Sequence, residues 1–207
     1  MITLAQQSQL TVLYGEPQRH YHNLSHIQHC LRELSGIPGL TEEKRAILEA
    51  AIWFHDAVYD PKAAKGVNEN ASINLMYSAN LTGIPVNTVE DLIAATINHQ
   101  VPADESAATE ELMGLFLDID LSILGQDEDT YDEQYASKVR DEYSWVPIWD
   151  YREGRRQVLV SFLARKHIYF SEHFRSKYEA QARANLSREA LALIPDRPIT
   201  IHEPTKG

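Results

Sequence analysis

The 207-residue chain is predicted to fold as one all-α domain. Three observations carry that prediction. Apolar residues recur with helical spacing through most of the chain. Nine glycines and nine prolines fall mostly between those periodic stretches, where such residues punctuate helices. No run of alternating β-branched residues appears before Ile199-Thr200-Ile201, close to the C-terminus.

In chain order, helices are expected over 2–14, 20–35, 41–58, 68–82, 87–99, 107–125, 127–145, 150–170 and 171–193. The first reads as an opening helix rather than a signal peptide, because it lacks a basic start and glutamines break its apolar run. Gly36, Pro38 and Gly39 close the second. Thr41 before Glu42 and Glu43 is a helix start, since an acceptor and negative charge suit the N-terminal dipole. Pro61 and Gly66 bracket a loop after the third helix. Thr88 and Asp91 have the spacing of a capping box for the fifth. The domain is expected to cover 1–194, followed by a Pro-rich tail over 195–207 that is extended, either loose or wrapped over the body.

Composition bounds the function. With 43% hydrophobic and 24% charged residues, wholesale disorder is excluded. The single cysteine, Cys30, cannot build an intrachain disulfide framework and suits a reducing, cytoplasmic setting. No apolar run approaches the roughly 18 residues a membrane span needs, so no membrane partner is expected. Nineteen basic against thirty acidic residues give a formal charge of −11, which repels nucleic-acid backbones. A small phosphorylated substrate remains compatible, because a bound cation inverts the local field.

Three segments depart from simple helix patterning. Four of the nine histidines, His20, His22, His26 and His29, fall within ten residues. On a helix, His22, His26 and His29 lie within roughly 60° of one another, beside an apolar stripe of Ile27, Cys30, Leu31 and Leu34. Alone, this cluster does not separate a half-buried cleft from a His-rich polar flank. Next, the doublet His55-Asp56 follows Ile52-Trp53-Phe54, a run that belongs in a core. Burying an imidazole and a carboxylate is costly unless they are paired or bind a cation. Last, Asp118 and Asp120 sit among apolar residues in Leu115–Gly125. A helical wheel puts Asp118 with Glu111 and Ser122 on the polar side, and Asp120 between Phe116 and Leu124 in the apolar arc. Asp120 is therefore the stronger ligand candidate, and Asp118 a surface or supporting acid. One divalent cation, shared by His26, His55, Asp56 and Asp120 from three helices, accounts for all three departures.

The order His … His-Asp … Asp resembles the HD-domain superfamily of metal-dependent phosphohydrolases. The segments Arg19-His20-Tyr21-His22-Asn23-Leu24-Ser25-His26-Ile27, Phe54-His55-Asp56-Ala57-Val58-Tyr59-Asp60-Pro61, Asn68-Glu69-Asn70-Ala71-Ser72 and Asp118-Ile119-Asp120-Leu121-Ser122-Ile123-Leu124-Gly125 resemble a small bacterial subgroup of that superfamily. So does Ile168 to Glu189, with Ala182-Arg183-Ala184-Asn185-Leu186. The resemblance implies an HD-type helical bundle that hydrolyses phosphate esters or anhydrides, with Mn, Mg, Co, Ni, Zn or Fe as the metal. It places the ligands at His26, His55, Asp56 and Asp120. His99 alone sits where some members carry a further histidine, so one metal ion is expected. On this reading Asp56 and His99 are the catalytic candidates, with Asp56 orienting the attacking water. Arg19 and His22 are the phosphate-binding candidates and Glu69 a support for a ligand histidine. The alternative is a non-catalytic nucleotide- or phosphometabolite-binding module with a structural metal. A homodimer is compatible with either.

The remaining features read as structure. Tyr131, Tyr135, Tyr143, Trp145 and Trp149 suit core or interface packing better than base stacking in so acidic a chain. Arg152, Arg155, Arg156, Arg165 and Lys166 form the one basic concentration, either a solvated helix face or a flank that draws in an anion.

Overall fold

The computed structural model describes residues 1–103 and 106–194. The proposed tail, with Ile199-Thr200-Ile201, lies outside the described residues. Within them the chain is all-helical, with no strand. The main helices are α1 (Leu4–Leu13), α2 (Leu24–Gly36), α3 (Glu42–Phe54), α4 (Val67–Ser78), α5 (Val86–Ala95) and α6 (Ala107–Asp120). A 3₁₀ turn follows (Leu121–Gly125), then α7 (Glu128–Tyr131), a π turn (Asp132–Ala136), α8 (Ser137–Glu142), α9 (Ile148–Leu163) and α10 (Glu172–Ala192). No helix among the described residues is long and apolar enough to cross a membrane.

Side-chain caps set many of the starts. Thr3 and Gln6 form a reciprocal capping box, and Asn23, Thr41, Ser106, Asp127 and Ser171 each accept a backbone N–H of the first turn. The fifth helix differs from expectation. It begins at Val86 after Pro85, so Thr88 lies inside its first turn and caps nothing. Pro85 sits at φ −73°, already suited to a helix start.

Helix α3 is the centre of the bundle. It packs against α1, α2, α4, α5 and α6. Its Ile47, Leu48, Ile52 and Phe54 join Ile27 and Leu34 of α2, Leu92 and Ile93 of α5, and Phe116 and Ile119 of α6 in one core. The C-terminal half wraps this core. Helix α10 packs on α9 and on the 3₁₀ turn. Gly125 makes the second contact possible: a Cβ there would lie 2.4 Å from Tyr178 Cβ.

Three expected helices are interrupted, each beside the histidine and aspartate motifs. The helix expected over 20–35 begins only at Leu24, so His20 and His22 precede it and share no helical face with His26 and His29. The helix expected over 41–58 stops at Phe54. There Ala57 N–H turns back to Phe54 O, and Arg19 takes the carbonyls of Asp56 and Ala57. The helix expected over 107–125 tightens into the 3₁₀ turn after Asp120. The carbonyls that escape there are met by Tyr169 OH on Leu121 O and by Asn185 Nδ2 on Leu124 O. The segment expected as one helix over 127–145 is likewise broken by the π turn, a form common near functional sites.

Candidate metal centre

The three interruptions bring four donors together around two facing imidazoles. His26 comes from the first turn of α2, His55 and Asp56 from the end of α3, and Asp120 from the end of α6. His26 Nε2 and His55 Nε2 face each other at 3.1 Å. Asp56 Oδ2 lies 2.9 Å from His55 Nε2 and 3.7 Å from His26 Nε2. Asp120 Oδ1 lies 3.2 Å from His26 Nε2 and 3.5 Å from His55 Nε2. Ligands about 2.1 Å from a shared ion stand roughly 3.0 Å apart at an octahedral edge and roughly 3.4 Å at a tetrahedral one. The separations from the two Nε2 atoms span those values, so the triad of His26, His55 and Asp56, with Asp120 beside both histidines, fits a first-row divalent cation in spacing as well as in type.

Electrostatics favour a cation here. Two imidazoles and two carboxylates are packed together, with both histidines buried. Burial alone would lower His55, but Asp56 and Asp120 outweigh it and hold the imidazole well above its usual range. Burial likewise would raise Asp120, yet His26, His55 and His99 hold it well below the usual carboxylate range. Asp56 is lowered in the same manner by His55, His22 and His26 against its burial. The cluster therefore demands positive charge, which a proton or a metal ion can supply. His55 is also oriented for a ligand role. Its Nδ1 lies 2.9 Å from Ile52 O, which fixes the N–H on that side and turns the Nε2 lone pair toward the cluster.

Cys30, one turn after His26, completes a second donor triad with His26 and Asp120. Burial first, then Asp120 and Asp56, push its thiol well above the usual range. Its Sγ is 3.8 Å from His26 Nδ1, where a neutral thiol packs against the imidazole.

The helpers divide into two groups. His22 and His99 border the cavity that opens from the donors. His22 stacks on Tyr59 with ring centres 4.1 Å apart, and its Nδ1 is 2.7 Å from Glu142 Oε2. Burial disfavours its charged form, but Asp56 and Glu142 more than compensate and raise its pKa. His99 Nε2 lies 3.2 Å from Asp120 Oδ2, so its first contact is with a ligand residue. His99 adopts φ +48°, a conformation uncommon for a side-chain-bearing residue. Arg165 steadies it there, with Nη1 2.8 Å from His99 O.

Arg19 does not reach the cavity, contrary to the phosphate-binding role expected of it. Its side chain is 1% exposed. Its guanidinium donates to Glu16 Oε2 at 2.9 Å, His22 O at 3.1 Å, Asp56 O at 2.6 Å and Ala57 O at 2.9 Å. Four of its five N–H donors are thus held by the fold, and Arg19 is not among the residues that line the cavity. Arg19 instead fixes the backbone that carries Asp56. Glu69 lines the cavity but holds neither ligand histidine; the Ile52 carbonyl does that for His55.

Asp118 is neither the surface acid nor the supporting acid that the wheel allowed. It is fully buried and accepts from Phe170 N, Ser171 N and Ser171 Oγ at 2.6–2.8 Å. Burial pushes its carboxyl up to about 6 against those three donors. It therefore ties the start of α10 to α6, and it faces away from the metal donors because two residues along a helix rotate a side chain by about 200°.

One contributor had no sequence signal. Glu142 is 3% exposed and accepts Tyr21 N–H and His22 N–H at 2.8 Å each, as well as His22 Nδ1 and Tyr59 OH. In sequence it is one of several acids between 127 and 142. The basic concentration is mostly engaged with the fold. Arg152 donates to the carbonyls of Ala192, Leu193 and Ile194, and Arg155 pairs with Glu189. Among the aromatics, Tyr131 is buried, whereas Trp145 and Trp149 are exposed rather than packed in the core.

Comparison with protein-family models, with curated proteins and with solved structures finds no match to this chain.

Proposed function

We propose that the protein is a metal-dependent phosphohydrolase of the HD type. One observation carries the reading: Asp56 and Asp120, far apart in sequence, each bring a carboxylate oxygen within 2.9–3.7 Å of the facing Nε2 atoms of His26 and His55, and His55, Asp56 and Asp120 line a cavity of about 580 Å³. That volume is within the range of small-molecule sites. The order of the four donors along the chain is also that of the HD superfamily, which this chain resembles.

The four side chains would hold one divalent cation, with Mn, Mg, Co, Ni, Zn and Fe all compatible with nitrogen and oxygen donors. When bound, such an ion supplies a water of lowered pKa and polarises a phosphoryl oxygen. The protein's own groups do the rest. Asp56 orients the attacking water through its carboxylate and accepts its proton. His99 holds Asp120 in place through Nε2. His22, fixed by Glu142, presents its free Nε2 edge to the phosphate. Arg19 keeps the Asp56 backbone in register.

The test is metal analysis together with phosphate release from a panel of esters. Wild type is expected to bind one divalent ion and to turn over at least one ester. His55→Ala and Asp56→Ala should lose both while keeping their helical circular dichroism. Phosphate release at wild-type rates in either variant overturns the reading. Tight metal binding with no turnover by the wild type would favour a binding module with a structural metal.

A further inference from the structure

The cavity continues past the metal donors toward α8 and α9, and its walls there bear on what the substrate is. Tyr135, Val139, Tyr143, Val158 and Phe162 line that extension. Next to it, Trp145 stacks on Tyr143 with ring centres 6.4 Å apart and is 49% exposed. A phosphoryl group at the donors occupies only the inner end of such a space.

The charges around the cavity disfavour a highly anionic ligand. Five carboxylates line it (Asp56, Asp60, Glu69, Asp120 and Asp150) against two permanent cations, Lys65 and Arg155, with His22, His55 and His99 as its imidazoles. Arg155 is neutralised within the fold, which leaves Lys65, tethered to Asn98, as the one permanent cation on the wall without a carboxylate partner among the described contacts. Lys65 Nζ is 2.6 Å from Asn98 Oδ1. Arg155 binds both oxygens of Glu189 at 2.8 and 3.0 Å and donates to Tyr135 OH at 3.0 Å. One divalent ion offsets a single phosphoryl group but not a polyphosphate chain. The amide and aliphatic hydroxyl donors are few and partnered: Asn68 Nδ2 donates to Asp60 O, and Thr96 Oγ1 to Ile93 O. The other hydroxyls on the wall sit on aromatic rings, those of Tyr21, Tyr59, Tyr135, Tyr143 and Tyr151. A base edge would lose its hydrogen bonds to water with few amide donors here to replace them.

We infer that the substrate is an ester carrying one phosphoryl group and an uncharged aromatic body, which lies in the groove between Tyr143, Val158 and Phe162. The inference rests on the hydrolase reading above and narrows it away from nucleotides. The step balances without an oxidant or further reactant. Water oxygen bonds to phosphorus, the ester P–O bond breaks with its electron pair on the leaving oxygen, and that oxygen takes up the proton that Asp56 accepted from the water. The products are an alcohol and phosphate.

The experiment uses the full chain loaded with Mn²⁺. Phosphate release is compared for naphthylmethyl phosphate, glycerol phosphate, AMP and ATP; the first three leave as alcohols, which limits differences in intrinsic reactivity. Binding of naphthylmethylphosphonate and methylphosphonate is measured by calorimetry. The aromatic ester should exceed the other three by about 100-fold in kcat/KM, and the aromatic phosphonate should bind about 100-fold tighter than the methyl one, the increment for burying an aromatic group. Val158→Asp and Tyr143→Ser should each cut that binding ratio at least tenfold. Equal binding of the two phosphonates overturns the inference. So does turnover of AMP, ATP or glycerol phosphate at least as fast as the aromatic ester, although the hydrolase reading then stands. If nothing is turned over while the aromatic phosphonate keeps its advantage, the hydrolase reading falls and the ligand class holds.

Discussion

Replacing Arg19 with methionine separates a phosphate-binding arginine from one that holds the fold. Methionine keeps most of the buried stem and removes the guanidinium. The carbonyls of His22, Asp56 and Ala57 then lose a charged donor. Each buried or part-buried acceptor left without a partner costs about 1–3 kcal/mol. The Glu16 pair adds little, because that carboxylate is 40% exposed. The loss should therefore be about 3–5 kcal/mol, a large share of the roughly 5–15 kcal/mol that holds a typical domain. With a urea m-value of about 2–3 kcal/mol/M, the midpoint should fall by about 1–2 M. Because two of the three carbonyls flank the Asp56 position, Mn²⁺ affinity should fall as well. Arg19→Lys restores charge but not the fork, and should recover less than half of the stability. A phosphate-binding Arg19 would behave differently: Arg19→Lys would raise KM and leave the urea midpoint where it was. A midpoint shift under 0.3 M for Arg19→Met, taken as roughly the smallest meaningful change, refutes the structural role.

Asp118→Ala should cost about 3 kcal/mol in urea unfolding, because Phe170 N–H and Ser171 N–H and O–H lose their acceptor; Mn²⁺ affinity should change less than threefold, whereas Asp120→Asn should abolish it, and the reverse order would refute both assignments. Gly125→Ala should destabilise by about 2–3 kcal/mol, since its Cβ would collide with Tyr178. Gly154→Ala, on a helix with open space around it, should be neutral or stabilising by up to about 1 kcal/mol; equal thermal shifts for the two glycines would show that α10 does not pack as described. Burial first, then the neighbouring His26, lower His29 to about 4. The unfolded chain thus binds a proton near pH 6.5 that the folded protein refuses until about pH 4, so His29 contributes stability above pH 6.5 and loses it as pH falls to 4. The expected loss is at most about 3 kcal/mol, and His29→Gln should flatten that part of the stability profile; an unchanged slope would refute it.

The sequence by itself determined the helical class, because helical apolar spacing and punctuation by Gly and Pro are local properties that tertiary contacts do not overturn over long segments. It also marked the four metal-ligand candidates, because a carboxylate such as Asp120 between Phe116 and Leu124, or His55-Asp56 after an apolar run, is costly in a core without a counter-charge. Tertiary structure decided where the helices break. Nothing local to Phe54 or Asp120 ends a helix; Arg19, Tyr169 and Asn185 do so by taking carbonyls from a distance. The same distant contacts gave Arg19 and Asp118 structural roles, against the expectation of a phosphate ligand and a surface acid. They also brought Glu142, one acid among many, to His22 from 120 residues away. Burial and partner choice for a charged group depend on what the rest of the chain places opposite it, and a wheel drawn on one segment does not contain that information.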